Sequence, residues 1–346
     1  MPAVTYWTGT WDPQREAISK EIDLLRRRDG GLRPVVSFSS GNTSALEPGH
    51  RVLRLTSRQW PLMRGLAPLV EWSGDVTHVF GGLNSWHLLR CIGRRPTILT
   101  VSLSGGPLAN GANVGMFAAE SEALAEELRD RGIAGDRVRL IYPGVDLDQY
   151  RPAPVALPEP FRVLFASSPA DAEEFDVRGI PLLVETARAC PDMTFVFLWR
   201  SWGDQDAARR AFERLAPPAN VRIECCDAPD MAEVYRHAHA IACFYADGFG
   251  KSCPNSVVEA LACGVPALVA DTTGIAPLVA GCGAGIACVR RVRDIAAAAR
   301  AIRARHVSFS RAARELAERT FGAREFLSSY ARLYNEVCGA VRSRAA

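Results

Sequence analysis

Lysine is almost missing from this sequence: of 41 basic side chains, only Lys20 and Lys251 are not arginine. Long apolar runs are missing too, and none approaches the roughly 18 residues that a membrane-spanning helix needs, so no transmembrane segment is expected. Basic runs stop at Arg26-Arg27-Arg28 and the net charge is only +3, which argues against nucleic acid as the main partner. The ten cysteines carry no paired metal-ligand spacing, so buried reduced thiols are expected, and no metal. The opening residues lack the basic start and apolar core of a signal peptide, which makes the cytoplasm the expected location. Peripheral contact with the inner face of a membrane remains open.

What is present is enough apolar material for two cores, with 48% hydrophobic residues over a length of 346. The stretch on which the rest is organised is Lys251-Ser252-Cys253-Pro254-Asn255-Ser256-Val257-Val258-Glu259-Ala260-Leu261-Ala262-Cys263-Gly264-Val265-Pro266. It reads as a loop, a short buried helix and a stop: Pro254 suits the first turn, and Gly264 with Pro266 supplies a left-handed end and a break. Strand-like Ile241 to Tyr245 precedes it and Ala267 to Ala270 follows, which makes a βαβ unit of a parallel sheet. The helix start therefore faces the carboxyl ends of strands, where open α/β sheets bind ligands. Free N–H groups and the positive dipole end at Ser252, Cys253, Asn255 and Ser256 suit an anion. Glu259 lies roughly 7 Å further along the axis, a distance that separates phosphates from a ribose whose two hydroxyls one carboxylate can accept.

The first half alternates strands and helices. Val4 to Trp7 reads as a strand, and Asp12-Pro13 as the cap and first turn of a helix with Ile18, Ile22 and Leu25 on one face. Between them Gly9, Trp11 and the first-turn Glu16 stand at a strand's carboxyl end, as candidates to face a ligand. Further strands are expected at Pro34 to Phe38, Arg51 to Leu55, Val76 to Phe80, Pro96 to Val101 and Met116 to Ala119, with helices at Trp86 to Ile92 and Glu122 to Arg131. His78 is read as the end of its strand, at the same edge. The glycine-rich Ser104 to Gly111 reads as a loop there.

Arg151 to Pro160 holds four prolines and reads as an interdomain linker and hinge. Strands then resume at Arg162 to Ala166, Met193 to Trp199, Val221 to Cys225, Ile241 to Tyr245, Ala267 to Ala270 and Gly285 to Val289. Arg178-Gly179, after an acidic loop behind the first of these, is placed where a guanidinium could reach a diphosphate. The tail is expected to be helical over Arg293 to Arg305 and Arg311 to Arg342, with Phe326, Tyr330, Leu333 and Val337 on one face.

These residues together resemble the family-4 retaining glycosyltransferases, over nearly the whole chain. Pro254 to Pro266 resembles the segment with the second glutamate of the family's E-x7-E motif. Glu120 to Leu128, Ile141 to Asp146, Arg178-Gly179 in place of the diphosphate-binding Lys-Gly, and Met231 to Tyr235 support it. The resemblance implies the GT-B architecture, an α/β fold of two Rossmann-like doubly wound domains facing across a cleft. The implied boundaries are an acceptor-binding domain at 1–150, a linker at 151–160, a nucleotide-sugar domain at 161–322, and a terminal helix at 323–346 returning toward the first domain. It implies ribose binding by Glu259, base recognition by backbone near Cys226 to Pro229 with Asp227 among the donor contacts, and a nucleotide sugar as co-substrate without a cofactor. The acceptor would be a glycan, a lipid-linked molecule or a small molecule.

Three positions depart from the pattern. Lys251 stands where the first glutamate belongs, Ser167 where a diphosphate arginine is usual, and Ser102 where a cleft histidine is common. Arg178 and Lys251 are therefore the expected catalytic cations. Lys251 either meets a carboxylate on a uronic-acid donor or replaces the missing arginine at the diphosphate, and the second is preferred because Ser167 carries no charge. A non-catalytic sugar-nucleotide or partner-binding protein and a sugar-nucleotide epimerase are the alternatives.

Overall fold

The computed structural model describes residues 2–27, 33–39, 45–47, 51–56, 59–83, 85–106, 113–152, 159–200, 203–226 and 230–345. They form two compact units: Met1–Gly144 with Ala323–Ala346, and Val145–Gly322.

The first unit is built on eight strands, Val4–Thr8 (β1), Val35–Ser39 (β2), Ala45–Glu47 (β3), Val52–Thr56 (β4), Val76–Gly82 (β5), Thr97–Leu103 (β6), Met116–Ala119 (β7) and Val138–Leu140 (β8). Their order is β3-β4-β2-β1-β5-β6-β7-β8, parallel throughout except for β3 against β4. Side chains alternate across the sheet, so Val4, Tyr6, Val76 and Phe80 enter one core while Trp7 and Val79 enter the other. The first of these cores is completed by the terminal helix Ala323–Ala345, through Phe326, Tyr330, Leu333, Tyr334 and Val337. Four of these are the residues whose spacing marks one helical face.

The second unit repeats the plan with Phe161–Phe165 (β9), Met193–Trp199 (β10), Val221–Cys225 (β11), Ala240–Cys243 (β12), Ala267–Ala270 (β13) and Gly285–Cys288 (β14). All pairs are parallel, in the order β11-β10-β9-β12-β13-β14. Renumbered from the first strand of the unit this is the 3-2-1-4-5-6 order of the Rossmann fold, which reverses between its first and fourth strands and binds ligands in the crevice left there. In this unit that crevice lies at the carboxyl ends of β9 and β12. In the first unit the corresponding place is the end of β1 and β5.

Several expectations need correction. β5 continues to Gly82, so His78 is its third residue and not its end. The first helix begins at Ala17, because Asp12 starts a separate turn that accepts the N–H groups of Arg15 and Glu16. β3 and β8 have three residues each, too few for any alternation to declare itself. The tail holds three helices, Val292–Ala304, His306–Thr320 and Ala323–Ala345. The first unit boundary falls after Gly144 and not after residue 150. Residues 145–152 pack with the second unit, where the Val145 N–H donates to Phe321 O at 2.7 Å. Most of the proline-rich linker, 153–158, lies outside the described residues, as do 107–112 of the glycine-rich loop.

Candidate active site

The organising helix spans Asn255–Ala262, with Pro254 just before its first residue. Its end is a Schellman motif: the N–H of Gly264, at φ 72°, donates to Leu261 O and that of Val265 to Ala260 O. Only glycine takes that backbone angle without strain. Apart from Ser256 every residue of the helix is buried, Glu259 included at 5% exposure. A buried carboxylate needs donors, and Tyr235 Oη supplies one to Glu259 Oε2 at 3.0 Å. Tyr235 is carried by the helix Met231–Arg236, whose first turn is capped by Asp230 through the N–H groups of Ala232 and Glu233. Burial, followed by the Glu259 charge, pushes the Tyr235 phenol well up, so it meets the carboxylate as a protonated donor.

Lys251 is likewise buried, and its Nζ donates to Asn255 Oδ1, 2.7 Å away, in the first residue of that helix. Cys253 is fully buried, while Ser252 is half-buried and its carbonyl accepts the Ile275 N–H at 3.1 Å. The ammonium is thus held at the same helix end that attracts an anion by geometry alone.

At the β9/β12 crevice a second group assembles. Arg178 ends a short helix, Phe175–Arg178, followed by Gly179 at φ 77°, where a Cβ would lie 2.5 Å from Phe244 O, just past β12. Glycine here lets the turn press against the strand end. The guanidinium is fixed on three sides: Nε donates to Glu174 Oε2 at 2.7 Å, Nη1 donates to Ser167 Oγ at 2.5 Å, and Cζ stands 5.2 Å above the Phe249 ring. Tyr245 Oη also donates to Ser167 Oγ, at 2.9 Å. Burial pushes the Tyr245 phenol up to about 12, which keeps it a donor. Burial also raises the Glu174 carboxyl, but the Ala170 N–H and the Arg178 guanidinium outweigh it and hold the group below its usual range. Ser167, where an arginine was missed, therefore receives a guanidinium after all, from Arg178. Glu174, Tyr245 and Phe249 were not singled out in the sequence; the Glu174–Arg178 spacing of four on a helix was the one available signal.

The first-unit candidates fare differently. Trp11 is 5% exposed, sits in the core and has the Arg26 guanidinium 5.2 Å above its ring, so it does not face a ligand. Glu16 caps its own helix, accepting the N–H groups of Ile18 at 3.0 Å and Ser19 at 2.6 Å. His78 is fully buried between Tyr334 Oη at 2.8 Å and Thr100 Oγ1 at 2.7 Å, and burial holds its pKa well below the usual value. Ser102 is buried and donates to Glu120 Oε1 at 2.6 Å. All four serve the fold of their own unit. Gly9 alone keeps room, since a Cβ there would meet nothing within 4 Å. Asp227 lies outside the described residues.

A cavity of about 300 Å³ opens beside Arg162, Thr194, Val196 and Arg222. These residues lie along β9, β10 and β11, and Glu233 and Val234 of the helix that carries Tyr235 line it as well. Among the described residues no helix is long and apolar enough to cross a membrane, and no three His, Cys, Asp or Glu side chains are grouped for a metal ion.

Residues 163–305 match the family model described as glycosyl transferases group 1. No curated protein matches the sequence. Among solved structures, Alr3699/HepE of Anabaena, in complex with UDP and glucose, aligns with a TM-score of 0.74 at 16% identity, covering 97% of this chain and 100% of that one. The sucrose-phosphate synthase of Thermosynechococcus elongatus aligns with a TM-score of 0.73 at 16% identity, covering 97% and 99%. WaaG, a glycosyltransferase involved in lipopolysaccharide biosynthesis, aligns with a TM-score of 0.67 at 11% identity, covering 91% and 95%. The chain shares the GT-B fold of two parallel sheets with these proteins, and its residues 163–305 are similar to the glycosyl transferases group 1.

Proposed function

We propose that the protein transfers a sugar from a nucleoside-diphosphate sugar to an acceptor hydroxyl with retention at the anomeric carbon. The observation that carries this is the Arg178 guanidinium, fixed at the β9/β12 crevice by Ser167, Glu174 and Phe249. Cleaving the sugar–phosphate bond puts negative charge on the diphosphate, and a cation already held in place stabilises that charge without reorganising. Lys251 and the start of the helix Asn255–Ala262 add positive potential, so the reaction is proposed to need no metal. The leaving diphosphate then takes the proton of the acceptor hydroxyl on the face it departs from, and no protein nucleophile is required. In this reading Glu259 holds the ribose, Cys253, Asn255 and Ser256 lie along the diphosphate and donor sugar, and the acceptor binds the first unit at the edge marked by Gly9.

The nucleotide in the HepE complexes is UDP, so UDP-sugars head the donors to be tried, ahead of GDP-, ADP- and dTDP-sugars. Incubation with each, with and without simple acceptors, should release nucleoside diphosphate, and proton NMR of the product should give the anomeric configuration of the donor. Inverted product removes the retaining mechanism. Saturable binding with no turnover for any donor favours a sugar-nucleotide-binding protein, and loss of turnover in EDTA removes the metal-free reading. Lys251 is assigned to the diphosphate because its ammonium is held on the first residue of the anion-binding helix. Lys251→Met should therefore weaken the free diphosphate by about tenfold, whereas unchanged affinity together with a shift between uronic and neutral sugars places it at the sugar.

A further inference from the structure

The carboxylate assigned to the ribose is held from outside its own helix. Tyr235 reaches Glu259 Oε2 from the helix Met231–Arg236, at 3.0 Å. Tyr150 lies on the segment that enters the second unit and packs its ring against Tyr235, where its phenol feels the Glu259 charge. The two rings stand 6.2 Å apart at 47°, and both are buried, Tyr235 to 1% and Tyr150 to 7% exposure. Both phenols are pushed up first by burial and then by the Glu259 charge, so both stay protonated, and Tyr235 meets the carboxylate as a donor.

Tyr150 is also tied to the helix that carries Glu259. Arg314 Nη1 donates to Tyr150 O at 2.8 Å and to Ala262 O at 2.7 Å, the latter in the last residue of that helix. A cation at a helix carboxyl end is favourable in itself, and here it also fixes the distance between Tyr150 and the turn bearing Glu259. The Tyr150 N–H closes a local turn on Asp146 O at 2.8 Å.

We propose that Tyr150 and Tyr235 are positioning residues that pin the Glu259 carboxylate in the orientation in which it receives ribose hydroxyls, so that the site selects ribonucleotides over deoxyribonucleotides. A glutamate has three side-chain torsions, and a two-point contact with a sugar diol requires all of them to be set before the ligand arrives. A protein donor on one carboxylate oxygen, braced by a second ring packed against it, sets them in advance. The inference rests on the ribose reading of Glu259, and the experiment separates the two.

UDP, GDP and ADP, each with its 2′-deoxy counterpart, are titrated calorimetrically into the full chain. The wild type should bind at least one ribo form about tenfold or more tighter than its deoxy form, the ratio expected for one charge-assisted hydrogen bond. Tyr150→Phe and Tyr235→Phe should each cut that ratio by about threefold or more, while Glu259→Gln should bring it near one. In the Glu259→Gln background neither phenylalanine should change it further, a dependence that general loosening of the fold does not produce. A ratio abolished by Glu259→Gln yet intact in both phenylalanine variants overturns the proposal and leaves the ribose reading standing. A wild type without preference overturns both. If Tyr235→Phe does not fold, Tyr150→Phe decides alone, because its ring sits nearer the surface.

Discussion

Among its parallel strands each sheet reverses order once, at β1/β5 in the first unit and at β9/β12 in the second, yet the two places are furnished in opposite ways. The first is rich in glycine: Gly9 follows β1, and β5 ends in Gly81-Gly82, with Ser85 Oγ set against Gly81. The second carries a phenol, a hydroxyl, a carboxylate and a guanidinium joined to one another. The same winding therefore provides a glycine-lined edge in one unit and a charged clamp in the other. Topology decides where a ligand can enter, and side chains decide what it can be. The polar candidates of the first unit are spent on its own packing, whereas those of the second unit hold one another at the sheet edge.

That contrast breaks most visibly at Trp11. If it is structural, Trp11→Ala should cost about 3 to 5 kcal/mol of stability, the usual range for deleting a buried tryptophan, and leave nucleotide affinity unchanged at a temperature where the variant is folded. Thermal melts with calorimetric titration read both numbers, and a stable variant with weakened ligand binding would move Trp11 back to a site. Next in size is Arg178→Ala, for which kcat/KM should fall about 100-fold with little change in Tm, as for other fixed donors to developing charge. Arg178→Lys should recover only part of that loss, because an ammonium cannot reach Glu174 and Ser167 with one rigid fork. A near-native rate in the alanine variant would make the clamp a structural ion pair.

His78 gives the smallest effect. Its folded pKa lies well below 6.5 because of burial, so below about pH 6.5 the unfolded chain binds a proton that the folded chain refuses. Stability is therefore present above that pH and declines as pH falls, by at most about 1.4 kcal/mol per pH unit for one proton. His306, also lowered by burial, adds to the same slope. Melts from pH 7 to pH 5 should show the decline, and His78→Gln should make it shallower. An identical slope in that variant would mean that His78 does not stay neutral when buried.

Much of the second unit was legible because its central strands β12 and β13 are apolar runs flanking one short helix, and because the Gly264 stop leaves one place for that helix. The placement of Glu259 inside that helix follows from counting residues. His78, Trp11 and Ser102 were singled out by position alone: local pattern tells which residues are near a strand end, but not what each packs against. His78 meets Tyr334 across a sequence separation of 256 residues, and no window of ten or twenty residues contains that partner. The Arg178 clamp was half legible. Its cation could be placed after β9, whereas Tyr245 and Phe249 join it only once β12 has been laid beside β9.

The path of the chain through the two units has a consequence for synthesis. The first unit is discontinuous, since residues 1–144 must wait for 323–345 before the face holding Tyr6, His78 and Phe80 is covered by Tyr330 and Tyr334. On the ribosome the second unit can complete its core while the first, though translated earlier, still shows an uncovered aromatic surface to the surrounding proteins. Nascent chains halted near Gly322 should therefore bind the dye ANS and chaperones more strongly than chains released past residue 345. The helix that seals the first sheet is thus made only after the whole of the second unit.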